Sequence, residues 1–266
     1  MENFLQVVLL GIIEGITEFL PISSTGHLLI AEKLGLGSRS DVFNIVIQAG
    51  AILAVTVIYW QRIWQLLVNI RLPENKDYAL KLSVAFIITA ILGAIISKLG
   101  FKLPKEVTPI AWALIIGGFW IIVAEWLAAK KLDAALITWP VAIIVGVAQI
   151  VAAIFPGTSR SGATIFAAML SGTSNRAAAT EFAFLVGIPT MYAASAKELY
   201  GAYKASGLGI HENWTDLGVG FVVSTITAFV AVKWLLRYIQ THKFTWFAIY
   251  RIVIGVALLL LLPSGA

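Results

Sequence analysis

Apolar stretches of span length recur along this chain, and two further stretches are interrupted by polar, proline-containing breaks. A helix needs about 20 apolar residues to cross a ~30 Å hydrocarbon core. Six runs reach or nearly reach that length: Phe43–Trp60, Ala79–Gly100, Ile110–Ala129, Ala177–Ala196, Leu217–Leu236 and Trp246–Leu262. Apolar residues make up 59% of the 266 and charged residues 12%, against about a quarter charged in soluble domains. Such a chain has too little polar surface for a water-soluble globule or a disordered segment. Its net charge of +5 does not indicate nucleic-acid binding, because the basic residues lie at the ends of apolar runs, where they suit membrane interfaces. Tyr59, Trp60, Trp64, Trp126, Trp214 and Trp246 also sit near run ends, as interfacial anchors do. With no cysteine, disulfides, thiolate nucleophiles and thiolate metal sites are excluded. The opening MENFLQVVLLG lacks a basic n-region and a small-residue cleavage site, so no removable signal peptide is expected.

Residues 4–36 run apolar, then Pro-Ile-Ser-Ser-Thr-Gly-His (Pro21–His27), then apolar again. Residues 137–172 repeat the plan around Pro-Gly-Thr-Ser-Arg-Ser-Gly (Pro156–Gly162). Each arm is too short for a span, and each break is too polar to face lipid. Non-helical backbone at membrane depth must be buried in protein or line a wet cavity. Both regions therefore predict re-entrant helix–loop–helix hairpins meeting inside the bundle.

Gly11 and Gly146, Glu14 and Gln149, Pro21 and Pro156, and Ser24 and Ser159 all lie 135 positions apart. Each half supplies one hairpin and three spans. Three is odd, so the halves insert with opposite topology, an arrangement that places a site between them at the broken helices. The expected fold is all-α integral membrane: six transmembrane helices plus two re-entrant hairpins in an inverted-topology repeat. It forms one domain over 1–266, with halves of roughly 1–132 and 133–266. Arg62, Arg71, Lys76, Lys81, Lys130, Lys131, Arg176, Arg237 and Lys243 collect on one side. Lys33, Arg39, Lys98, Lys102, Lys105, Lys197 and Lys204 collect on the other. The richer side is read as cytoplasmic.

The chemistry concentrates at the breaks. Glu14 and Glu18 are four apart and share a helix face. Two carboxylates at membrane depth need a proton, a partner or a cation. Either one alone could simply face water or balance a basic neighbour. Ser23, Ser24 and Thr25 precede an apolar helix, where one hydroxyl would serve as an N-cap. His27 is the only histidine in an apolar region, since His211 and His242 fall in connections. It can exchange a proton near neutral pH. In the second break, Arg160 sits among Ser159, Ser161, Gly162 and Thr164 ahead of a helix. A guanidinium fork beside free helix N–H groups is an anion cradle, although Arg160 could also be the counter-ion of Glu14 or Glu18. Carboxylates, hydroxyls, a histidine and an arginine together are the inventory of phosphoryl transfer. The carboxylate oxygens suit Mg²⁺ or Ca²⁺. Among other ionisable residues, Glu125, Lys233 and Arg251 are read as structural, Glu181 as a residue close behind the second hairpin, and Gly117-Gly118 as close helix packing.

Glu14-Gly-Ile-Thr-Glu18-Phe-Leu-Pro-Ile-Ser-Ser-Thr-Gly-His27 and Pro156-Gly-Thr-Ser-Arg-Ser-Gly-Ala-Thr164 resemble the two signature motifs of the bacitracin-resistance type undecaprenyl-diphosphate phosphatases. The similarity extends to Phe43–Ala54, to Glu181-Phe-Ala-Phe and to Phe247-Ala-Ile-Tyr-Arg251. It implies a bacterial plasma-membrane hydrolase that removes the terminal phosphate of undecaprenyl diphosphate. The monophosphate carrier then serves peptidoglycan synthesis, and the cell tolerates bacitracin. It also implies paired inverted repeats, a divalent cation, and a catalytic set of Glu14, Glu18, Ser24, His27 and Arg160. On this reading either Ser24 attacks, activated by His27 or Glu18, or water attacks directly; His27 can protonate the leaving oxygen, and Arg160 clamps phosphate with Ser23, Thr25, Ser159, Ser161 and Thr164 nearby. Glu14 and Glu18 hold the cation or position water, and the cleft opens to the outer face. The expected partners are a polyprenyl diphosphate and the bilayer, not nucleic acid, with homo-oligomerisation left open. Lipid phosphatases of the acid-phosphatase type are a poorer match, because SGATIFAAMLSGTSN after Arg160 holds neither the second His nor the Asp they use. An inverted-repeat flippase or ion-coupled transporter is the competing reading.

Overall fold

A computed structural model describes residues 2–37, 39–99, 106–131, 133–205 and 213–261. Gly100, Lys102, Lys105, His211, Leu262 and residues 206–212 of the 201–216 connection lie outside that set. The described residues form eleven α-helices: α1 (Glu2–Thr17), α2 (Ser24–Ala31), α3 (Asp41–Ile58), α4 (Trp60–Val68), α5 (Pro73–Lys98), α6 (Val107–Ala128), α7 (Trp139–Ile154), α8 (Arg160–Ser171), α9 (Arg176–Ala205), α10 (Trp214–Thr241) and α11 (Thr245–Leu261). Five of these, α3, α5, α6, α9 and α10, are long and apolar enough to cross a membrane. The sixth expected span corresponds to α11, with 17 described residues. The two broken regions are α1–α2 and α7–α8.

Two details depart from the sequence reading. The first apolar run does not stop at Trp60, because α4 follows directly. It turns Trp60, Trp64, Leu67 and Val68 outward and buries Leu66, the pattern of a helix lying in the interface plane. Tyr59, expected as an interfacial anchor, is buried instead. Its ring packs edge-on against Phe184, with centroids 6.3 Å apart. Trp60, Trp64, Trp126, Trp214 and Trp246 are exposed.

The packing exchanges elements between the halves. Helix α1 packs on α10 and α7 on α5, while α3 meets α9 and α6 meets α11. Small residues set the closest approaches. A Cβ on Gly11 would lie 3.1 Å from the Gly220 carbonyl, and one on Gly146 2.8 Å from the Ala85 carbonyl. Both residues of one contact sit 135 positions from their counterparts in the other. At the tips the offset becomes 136. Ser23 and Ser159 are the non-glycine residues with positive φ among those described, at 75° and 71°. Each caps the following helix by accepting from a glycine N–H, Gly26 at 3.3 Å and Gly162 at 3.2 Å. Ser159 is therefore equivalent to Ser23, not to Ser24 as the sequence spacing predicts. The extra residue lies between Pro156 and Ser159, where Gly157 takes φ 96° against the Ile110 carbonyl.

Ends of helices are tied by charge. Arg39 reaches Asp216 at 3.7 Å and Lys197 reaches Ser97 at 2.9 Å. At the opposite end Arg176 pairs with both oxygens of Glu125, at 2.8 and 2.6 Å. Arg62 and Tyr78 take Glu181, at 3.1 and 3.3 Å. Glu125 is thus structural, as its position within an apolar run implies. Glu181 belongs to this surface network rather than to the tips. The Lys233 ammonium lies 4.6 Å from the centre of the Phe229 ring.

The two tips meet, and Arg251 of α11 holds them. Its side chain is 1% exposed, and its hydrogen bonds go to five backbone carbonyls. Nη1 donates to Pro21 at 3.1 Å and Thr158 at 2.9 Å. Nη2 donates to Gly157 at 2.9 Å and Ala113 at 3.0 Å, and Nε to Leu114 at 3.3 Å. One cation thus satisfies the Pro21, Gly157 and Thr158 carbonyls of the two tips, each of which would cost about 1–3 kcal/mol if left buried and unpaired, and is anchored on two carbonyls of α6. Gly117 makes this possible, because any Cβ there would collide with the guanidinium. Gly118 does what close packing predicts: a Cβ would sit 2.8 Å from the Ala248 carbonyl of α11. Gly117→Ala should therefore cost about 1–3 kcal/mol, the usual range for overpacking, read as a clear fall in unfolding temperature in detergent. In a double-mutant cycle with Arg251→Gln the losses should be far from additive. A wild-type unfolding temperature for Gly117→Ala would show that the guanidinium does not need this space.

Candidate active site

Helix α1 ends at Thr17, and the chain turns through residues 18–23 before α2 starts at Ser24. Glu14 and Glu18 stack on successive turns, with the Glu18 N–H donating to the Glu14 carbonyl at 2.9 Å. Their carboxyls lie together and are 2% and 6% exposed. Glu18 is the hub. Its Oε2 accepts from the Ser24 hydroxyl, and its Oε1 accepts from Nη2 of Arg160, both in short contacts. Ser24 and Arg160, 136 positions apart, thus share one carboxylate, and removing either partner of the buried ion pair would leave the other charge uncompensated. Of the alternatives for Ser24, the geometry selects Glu18 as its partner.

Register explains why these residues meet. With Ser23 and Ser159 equivalent, Ser24 and Arg160 occupy the same first helical position after the same turn. The turn presents the residue after the cap inward in both hairpins, a hydroxyl in one and a guanidinium in the other. Ser161 closes the seam by donating to the Leu20 carbonyl at 3.0 Å.

The other expected residues divide. The Ser23 and Ser159 hydroxyls accept helix N–H groups, so both shape the turns. Ser159 Oγ also lies 3.1 Å from Ser161 Oγ. Thr164 donates back to the Arg160 carbonyl at 2.8 Å and is buried, which holds the first turn of α8. Thr25 is exposed at the start of α2. His27 lies on the same tip, but both of its ring nitrogens bond to groups other than Glu18. Its Nδ1 lies 2.7 Å from the Ser23 carbonyl and its Nε2 2.7 Å from the Tyr250 hydroxyl.

A narrow cleft of about 10 Å³ lies beside the pair. One wall is Glu18, Phe19, Arg160, Ser161 and Thr164; the other is Ala183, Phe184, Gly187 and Met191 of α9. Nothing lies within 4 Å of where a Cβ on Gly187 would stand. The cleft is therefore polar on one side and apolar on the other. Arg160 also lies close enough to Glu198, further along α9, to interact with it electrostatically. A larger cavity of about 360 Å³ lies elsewhere, at the Lys131, Asp133 and Arg176 end. Arg176 there is committed to Glu125, and none of the chemistry above is present.

Among the described residues no cluster of three or more His, Asp or Glu is placed to hold a metal. The protein offers two adjacent hard-oxygen ligands, Glu14 and Glu18. That fits a cation whose other ligands are water and substrate phosphate, the usual habit of Mg²⁺.

The structural reading of Arg251 holds, but sequence reasoning did not find its partners, and it missed the contact of Tyr250 with His27. Nothing local shows that either side chain points at a distant tip.

The family described as Bacitracin resistance protein BacA matches residues 7–257 of this chain. A Rhizobium etli protein named undecaprenyl-diphosphatase is 67% identical over 263 residues, covering 99% of this chain and 98% of the relative. One of the same name from Xanthomonas oryzae pv. oryzae is 58% identical over 266 residues and covers both chains fully. Facing tips that carry both motifs, and a match along almost the entire length, mean that this chain belongs to the bacitracin resistance protein BacA family.

Proposed function

We propose that this protein hydrolyses undecaprenyl diphosphate to undecaprenyl phosphate and inorganic phosphate, in a bacterial plasma membrane. The carrier lipid is thereby recycled for cell-wall synthesis, and bacitracin is tolerated. The observation that carries the reading is the shared Glu18: one carboxylate bonded to a serine hydroxyl and to the only cation at the tips with a side chain facing the cleft. The amphiphilic cleft suits a substrate with a charged head and an apolar tail, and the names of the relatives agree.

Arg160 and Glu18 neutralise each other in the pair described above. An incoming diphosphate offers Arg160 a better bidentate partner, which frees Oε1 of Glu18. Oε2 still faces Ser24 and can take its proton. The Ser24 oxygen then attacks the terminal phosphorus, and the bond from that phosphorus to the bridging oxygen breaks. Undecaprenyl phosphate leaves and a phosphoserine remains for water to hydrolyse. Arg160 stabilises charge on the transferring group. Glu14 and Oε1 of Glu18 would hold a divalent cation, which supplies charge neutralisation at the diphosphate.

Arg160 lies within electrostatic reach of Glu198, whose neighbour Lys197 bonds Ser97 at the end of the bundle that carries fewer basic residues. That proximity supports an external mouth. Each half, roughly 1–132 and 133–266, contributes one tip.

Purified protein in detergent should release phosphate from a polyprenyl diphosphate, and a chelator should abolish the release. Phospholipid binding without hydrolysis would instead favour a carrier. Arg160→Ala should stay folded yet lose about 10²–10³-fold in kcat/KM; near-normal turnover would remove it from the mechanism. Glu14→Gln should raise the Mg²⁺ concentration needed for half-maximal rate more than it lowers the rate at saturating Mg²⁺. Acid quench during turnover should trap phosphate on Ser24, and Ser24→Ala should abolish both label and turnover. Retained turnover in that variant would mean direct attack by water.

A further inference from the structure

We propose that Tyr250 is a positioning residue for the reaction, acting through His27 on the turn that presents Ser24. This rests on the function proposed above. A backbone carbonyl can only accept, so the 2.7 Å contact between Nδ1 of His27 and the Ser23 carbonyl puts a proton on Nδ1. In the neutral ring Nε2 then carries a lone pair, and it accepts the Tyr250 hydroxyl at 2.7 Å. The two rings are within 7° of parallel. Both ring nitrogens are therefore committed, one to each side, and the imidazole has a single tautomer and a single orientation. The proton assignment follows from the chemistry of the partners.

The brace acts where the backbone is strained. Ser23 has φ 75°, a region that costs a non-glycine residue of order 1–3 kcal/mol. Its carbonyl is held twice by residue 27, by the backbone N–H at 3.3 Å and by the ring. Ser24, the next residue, must aim its hydroxyl at Glu18. The second tip has alanine where the first has histidine: Ala163 follows Gly162 as His27 follows Gly26, and its N–H holds the Ser159 carbonyl at 2.8 Å. Only the serine-bearing turn carries the side-chain brace. Tyr250 precedes Arg251 in α11, so one helix turn fixes both the approach of the tips and the pose of His27.

The test combines kinetics with histidine nitrogen spectroscopy on full-length protein in detergent. The chain has three histidines, His27, His211 and His242, so ¹⁵N-histidine labelling gives few signals and His27→Asn assigns one of them. Wild type should show His27 protonated on Nδ1. Tyr250→Phe keeps the ring and removes the hydroxyl. It should let His27 exchange between tautomers and should lower kcat roughly three- to tenfold, the worth of one hydrogen bond, with KM unchanged. In the His27→Asn background the same substitution should add nothing further. An Nε2-protonated ring in the wild type would overturn the proposal. So would an unchanged kcat in Tyr250→Phe, or an equal additional loss in the His27→Asn background. If the wild type hydrolysed no polyprenyl diphosphate, the function would fall while the nitrogen spectrum still reported the latch. A wild-type unfolding temperature for Tyr250→Phe keeps a kinetic loss from being mistaken for misfolding.

Discussion

A helix broken inside a membrane leaves carbonyls and N–H groups that neither lipid nor the helix can satisfy. Everything else in this structure depends on how two such breaks satisfy each other. The N–H groups at the start of α2 and α8 are capped locally, by Ser23 and Ser159. The carbonyls cannot be capped that way. Those of Pro21, Gly157 and Thr158 are gathered from both tips onto one guanidinium, Arg251, which is itself anchored on two carbonyls of α6. A fixed cation at the meeting point sets the distance between the tips, and that distance lets Arg160 reach Glu18.

Equivalent turns then carry inequivalent chemistry. The repeat supplies two copies of one backbone device: a positive-φ serine, a glycine three residues on, and an inward position between them. In the first copy that position is Ser24 and in the second it is Arg160. Upstream, Glu14 has Gln149 as its counterpart, which donates to Thr89 at 2.9 Å and packs in the interior. Downstream, His27 has Ala163. Acid, hydroxyl and imidazole belong to one half and the guanidinium to the other, so inequivalent side chains sit on a nearly symmetric frame.

The broad layout was legible because hydrophobic run length and polar interruptions are local signals. The breaks at Pro21–His27 and Pro156–Gly162, and the six longer runs, follow from them directly. The pairing of Glu18 with Arg160 was legible as one of two uses for a buried arginine. The register of the tips was not. Pro21 and Pro156 align at one spacing and the capping serines at another, and only backbone torsion shows that Gly157 absorbs the difference. Tyr59 misled because an aromatic residue beside Trp60 looks interfacial, whereas α4 turns the chain so that Tyr59 packs on Phe184. The structural role of Arg251 was legible, but its partners and that of Tyr250 were hidden for a different reason. They are more than ninety residues away, and carbonyl acceptors such as those of Arg251 leave no mark in a sequence.

The two walls of the cleft have a consequence for what a cell could lose to this protein. Cytosol and periplasm hold many water-soluble anhydrides, nucleotides and inorganic pyrophosphate among them. Such a molecule could satisfy Arg160, but it would leave the Ala183, Phe184, Gly187 and Met191 surface dry and unfilled, and it would have to abandon bulk water for a slot within the bilayer. Only a phosphate already tethered to a greasy chain arrives by lateral diffusion with both requirements met. Energy currency is thereby spared.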